Sequence, residues 1–73
     1  MENYFRHEYG RLVAVLTRKA GSQNLEYVED AVQAALATAL TAWVIDGPPS
    51  EPGAWLYRVA WHHLLGELRK GGG

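Results

Sequence analysis

Apolar residues return every three or four positions in three stretches of this chain. In the first, Phe5, Tyr9, Leu12, Val13, Leu16 and Ala20 fall on one side of a helix. In the second, Leu25, Val28, Val32, Ala35, Leu36, Ala39, Leu40 and Trp43 make one continuous stripe. In the third, Leu56, Val59, Ala60, His63, Leu64 and Leu68 form the inner side, with His63 as a partly buried spacer. Six alanines among residues 31–42 favour helix and let a neighbouring helix approach closely. No period-2 alternation argues for a strand, so the fold class is all-α, a compact three-helix bundle.

The polar positions punctuate these helices. Gly21 and Ser22 offer a stop after the first, and Asn24 is placed to cap the second by accepting from its free amides. Residues 44–51 read as a stiff loop, with a turn at Asp46-Gly47 and extended backbone at Pro48-Pro49. Pro52 suits the first turn of the third helix, where a missing amide proton costs little. The domain therefore spans residues 1–70. Residues 71–73 are all glycine and are expected to fray as a flexible tail or the start of a linker.

Size and charge narrow the function. Seventy-three residues make one small domain, and without cysteine it has no disulfide, zinc finger or thiol nucleophile. No apolar run of about 18 residues and no secretory signal stand in the sequence, so the expected compartment is the cytoplasm, with no membrane partner. The formal charge of −1 hides a pattern. Residues 1–20 carry four bases and two acids, residues 21–43 carry three acids and no base, and the remainder is balanced. An acidic middle helix suits a basic protein partner, or simply marks a solvated helix start.

Chemistry candidates are few. His62 and His63 are adjacent and diverge by about 100° on a helix, so they do not share a metal. His63 and Glu67, at i, i+4, make one weak pair at most. No metal or cofactor is implied. Ser22 and Ser50 look like turn or cap residues, and there is no nucleophile elbow or phosphate loop. Glu26 and Asp30 are carboxylates one turn apart, but a small bundle seldom supplies the dry cleft that would separate their pKa values. The chain is not expected to be an enzyme.

Two outer faces are more informative. On the second helix Asp30, Gln33 and Ala37 lie together, a flat surface for another helix or a plain solvent face. On the third, Trp55, Arg58, His62, Leu65 and Arg69 step by three and four, with Trp61 beside them. Aromatics mixed with arginines suit stacked, unpaired bases and their phosphates. The plainer reading is that Trp55 and Trp61 cap the ends of the core.

Three motifs in order add a resemblance. Residues 9–18 (YGRLVAVLTR), residues 29–35 (EDAVQAA) followed by Ala39-Leu40 and Trp43, and residues 46–49 (DGPP) with 52–60 (PGAWLYRVA) resemble region 2 of sigma-70 family factors. The extracytoplasmic-function branch is the nearest in pattern, and the likeness spans residues 5–70.

The resemblance implies a transcription initiation domain. Its second helix would bind the coiled coil of the RNA polymerase β′ clamp, through Asp30, Gln33, Leu36 and Ala37. Its third helix and the preceding loop, residues 45–50, would take and help melt the non-template strand of the promoter −10 element. Asp46, Ser50, Trp55, Arg58, Trp61, His62 and Arg69 would line that DNA side. The sequence departs from the family where Trp61-His62 replace Arg-Asn, and where Gly66 stands for an aspartate. The polymerase half therefore matches better than the DNA half. A full factor carries a second domain, region 4, so the chain is expected to be one half of such a factor. The alternative is a stand-alone, degenerate module that binds polymerase or an anti-sigma protein without reading DNA. The neutral total charge implies weak DNA binding by this domain alone.

Overall fold

The computed structural model describes residues 2–72, with side chains for 4–70. It is a bundle of three α-helices: α1 (Glu2–Ala20), α2 (Leu25–Asp46) and α3 (Pro52–Gly72). A single 3-10 turn, Ser22–Asn24, joins α1 to α2. Helix α2 is central, packing on α3 most heavily and on α1 next, while α1 and α3 meet lightly.

The core follows the sequence stripes closely. Leu12 and Leu16 from α1, Val28, Val32, Ala35 and Ala39 from α2, and Leu56, Ala60 and Leu64 from α3 are fully buried. Ala31 joins them, so four of the ten core residues are alanine from α2 or α3. These small side chains let the helices run close together, and leucines from α1 and α3 fill the remaining space.

The stripe on α2 differs at its edges. Leu40 is 59% exposed and Leu25 41% exposed, so neither is core. At about 100° per residue the buried side centres on Val28, Val32, Ala35 and Ala39, and Leu36 and Leu40 rotate progressively out of it. His63 is likewise exposed on α3 rather than a spacer in its inner side. Its Nε2 stands 4.0 Å from Glu67 Oε1, beyond hydrogen-bond reach.

The connections hold other corrections. Asn24 does not cap α2; its Nδ2 donates to Ala20 O at 2.9 Å, closing the end of α1. Gly21, at φ +100°, lets the chain leave α1 in a conformation that L side chains rarely adopt. Helix α2 continues through Val44, Ile45 and Asp46, which the sequence assigns to the loop. The Asp46-Gly47 signal is a helix end: Gly47, at φ +80°, donates its N–H to Trp43 O at 2.8 Å, and Pro48 bars continuation. Pro52 opens α3 as expected. That helix runs through Gly72, two residues into the glycine run expected to fray, because glycine weakens a helix by about 1 kcal/mol without forbidding it. Gly73 lies outside the described residues.

Contrary to the composition argument, the stretch Ser22–Asp46 is long and apolar enough to span a membrane by length and composition. About a third of its apolar window is buried in the bundle, where both other helices pack on it.

Candidate functional site

Two surfaces carry the residues singled out by sequence. On α2, Asp30, Gln33 and Ala37 are exposed and Leu36 is half-buried. Helical spacing puts Gln33, Leu36, Ala37 and Leu40 on one side, and Val44 continues it one turn further. Val44 is 82% exposed, and beside it Ile45 is 75% exposed. The face is therefore polar near Asp30 and aliphatic toward the end of the helix. A shallow apolar cleft of about 130 Å3, lined by Phe5, Leu40, Trp43, Val44 and Pro48, adjoins it.

The second surface is built where the chain turns from α2 into α3. Trp55 sits on the first turns of α3, half-buried against the core. Its ring meets Trp43 edge-on at 5.4 Å, and Trp43 stacks on Phe5 at 5.9 Å. Trp43 Nε1 is buried without a hydrogen-bond partner, which costs about 1–3 kcal/mol and is offset by this ring packing. The ladder fixes Trp55 as a wall between two open hollows. One, of about 310 Å3, is lined by Trp43, Asp46, Gly47, Pro48 and Trp55. The other, of about 360 Å3, is lined by Pro49, Ser50, Glu51, Ala54, Trp55 and Arg58. Asp46, Ser50, Trp55 and Arg58 thus converge around one indole.

The other three candidates do not join them. Trp61 faces a groove between α1 and α3, with Lys19 Nζ 5.2 Å from its ring centroid. His62 lines a separate small hollow with His63, Gly66, Glu67 and Lys70. Arg69 is exposed in the last turns of α3. Arg58, His62 and Arg69 do share one exposed strip by helical spacing.

Sequence reading missed what stands opposite Trp61. Glu8 is 8% exposed, and Arg11 donates to its Oε1 through Nη2 at 2.7 Å and Nε at 3.1 Å. Arg11 Nη2 also reaches Gly53 O at 3.4 Å, tying α1 to the start of α3. A Cβ on Gly53 would lie 3.3 Å from that nitrogen, so glycine keeps the approach open. Burial, followed by the charge of Glu8, raises the Tyr4 phenol above its ordinary value, with Arg11 opposing. Opposite charges at i, i+3 beside the α1 stripe, and a glycine in the first turn of α3, were the available signals.

Among the described residues no cluster of His, Cys, Asp or Glu is arranged to hold a metal ion.

The domain is a three-helix bundle with an exposed central-helix face and an aromatic corner after it. Residues 4–72 match the family model for sigma-70 region 2, and the chain belongs to that family. This gives it a sigma-factor-like role in transcription initiation, in a family of transcription factors rather than enzymes. No curated protein and no solved structure matches the chain.

Proposed function

We propose that this domain, of the extracytoplasmic-function type, docks on the β′ clamp coiled coil of core polymerase through α2 and holds the non-template strand of the −10 element with the α2–α3 corner. One observation carries the docking half. Leu40 and Val44 stay 59% and 82% exposed on the side of α2 that also presents Gln33 and Ala37. Contiguous exposed aliphatics on a small domain mark a surface that a partner covers. Asp30 and Gln33 supply the polar contacts that set register on a helical partner, with Leu36 and Ala37 at the contact. Asp46, Ser50, Trp55 and Arg58 then receive an unpaired base at the corner. Arg58, His62 and Arg69 follow the strand along α3, and Trp61 faces it from the adjoining groove. The reading places the protein in the cytoplasm, with polymerase.

Binding to a β′ clamp-helix fragment tests it, by calorimetry. Asp30→Arg should weaken that affinity by about tenfold with helicity intact. Unchanged affinity in the folded variant would remove the docking assignment.

The position of Trp61 and His62, away from the corner, favours a second reading. In it the domain binds polymerase or an anti-sigma protein without reading DNA. Equal affinity for −10 and scrambled single strands, with clamp binding retained, would favour this reading over the first.

A further inference from the structure

The groove between α1 and α3 is open, with a volume of about 640 Å3, and Tyr57 and Trp61 form its apolar wall. Three cations stand around it. Arg11 is balanced by Glu8, which accepts from it at 2.7 Å. Arg58 and Lys19 are exposed and make no ion pair among the described residues. Lys19 Nζ lies 5.8 Å from the Tyr57 ring centroid and 5.2 Å from that of Trp61. The groove therefore combines aromatic area with positive charge that the fold leaves unbalanced. We propose that it seats the start of α2 from a second copy of this chain, so that copies associate head to tail. The proposal goes beyond the functional reading above, because the contact needs neither polymerase nor DNA.

The start of α2 has the complementary chemistry. It carries Glu26, Glu29 and Asp30, and no basic residue lies between Lys19 and Arg58. Among the described residues no hydrogen bond or ion pair engages those three carboxylates. Helical spacing puts Glu26 and Asp30 on one ridge, with Leu25 and Tyr27 about 100° to either side of Glu26. Leu25 is 41% exposed and Tyr27 38% exposed, and neither is used by the core or by the aliphatic end of the helix. An acidic ridge flanked by apolar side chains matches an aromatic groove flanked by cations. The other exposed apolar segment, Leu40 to Ile45, would bring area to the groove but no charge to Lys19 and Arg58.

The two patches face different ways. Val28, Ala31, Val32 and Ala35 turn α2 toward the core, so its acidic ridge faces outward, while the groove opens between the other two helices. A copy cannot fill its own groove, and each filled groove leaves another ridge free. A heterologous contact of this kind adds copies in series rather than stopping at a symmetric pair. Every internal copy then has Asp30, Arg58 and Trp61 covered. On the functional reading above, assembly thus withdraws the domain from both of its partners.

Sedimentation velocity on the chain alone, without DNA or polymerase, tests this. Average mass is expected to rise with concentration past that of a pair. Raising salt from about 0.1 M to about 1 M shortens the screening length from about 10 Å to about 3 Å and should weaken association by at least about tenfold. Lys19→Gln with Arg58→Gln removes the free charge of the groove, and Glu26→Gln with Asp30→Gln removes charge from the ridge. Each variant alone should associate at least about tenfold more weakly, with helicity by circular dichroism unchanged. Mixed, the two should form a one-to-one pair and nothing larger, because one intact ridge meets one intact groove. A chain that stays monomeric at every concentration overturns the proposal and leaves the clamp and strand readings standing. Association that salt leaves unchanged or strengthens also overturns it, and gives the contact to Leu40, Val44 and Ile45. Variants that stay apart when mixed overturn it as well.

Discussion

The outer face of α2 and the aromatic end of α3 spend their hydrophobic residues in opposite ways. On α2, Leu40, Val44 and Ile45 keep most of their surface in water. At the α2–α3 corner, Trp43 and Trp55 are locked by ring-on-ring contacts, and only part of each ring reaches solvent. The first surface leaves its aliphatic side chains open to solvent. The second is already rigid, because its rings are fixed by the core before any ligand arrives. One surface thus offers area and the other geometry, and the two should respond differently to substitution.

The largest expected effect is at the corner. Trp55→Ala removes the edge contact to Trp43 and the wall between the two hollows. It should cost about 2–3 kcal/mol of stability in urea unfolding, and strand binding should fall with it. A stable variant with undiminished strand affinity would break the comparison. On α2 the pattern should invert. Leu40→Gln with Val44→Gln should change stability by less than about 0.5 kcal/mol and lower affinity for the clamp fragment by at least about tenfold. The smallest effect is expected between the surfaces, at Glu8. Glu8→Gln weakens the tie from Arg11 to the start of α3 and should cost about 1 kcal/mol, read as a lower urea midpoint, with clamp affinity unchanged.

The helices were legible because a buried stripe needs a periodic sequence, and Leu12, Leu16, Val28, Val32, Leu56 and Leu64 all lie where periodicity puts them. The edge of the α2 stripe was not. Leu40 is hydrophobic and in phase, and nothing in one sequence separates a leucine that enters the core from one left exposed beside it. Asn24 was legible as a cap but not as the cap of which helix; its short side chain sits between two helix ends and serves the earlier one. Asp46-Gly47 signalled a break, and glycine after a helix serves equally as a turn or as the exit from the last helical turn. Of the candidate site, Asp46, Ser50, Trp55 and Arg58 come together because they are close in sequence. The groove escaped notice because it is made by α1 and α3, whose meeting is a property of the fold.

Because α2 is unbroken from Leu25 to Asp46, it also acts as a ruler. Asp30 and Asp46 are separated by about 24 Å along the axis at 1.5 Å per residue, with a fixed angular phase. One residue inserted after Thr38 would advance everything beyond it by about 100°, turning Leu40 and Val44 away from Gln33 and Ala37 and carrying Ala39 out of the core. The corner beyond Asp46 would then no longer stand on the same bearing as Asp30. The uninterrupted length of a single helix thus fixes the distance and bearing between the two surfaces.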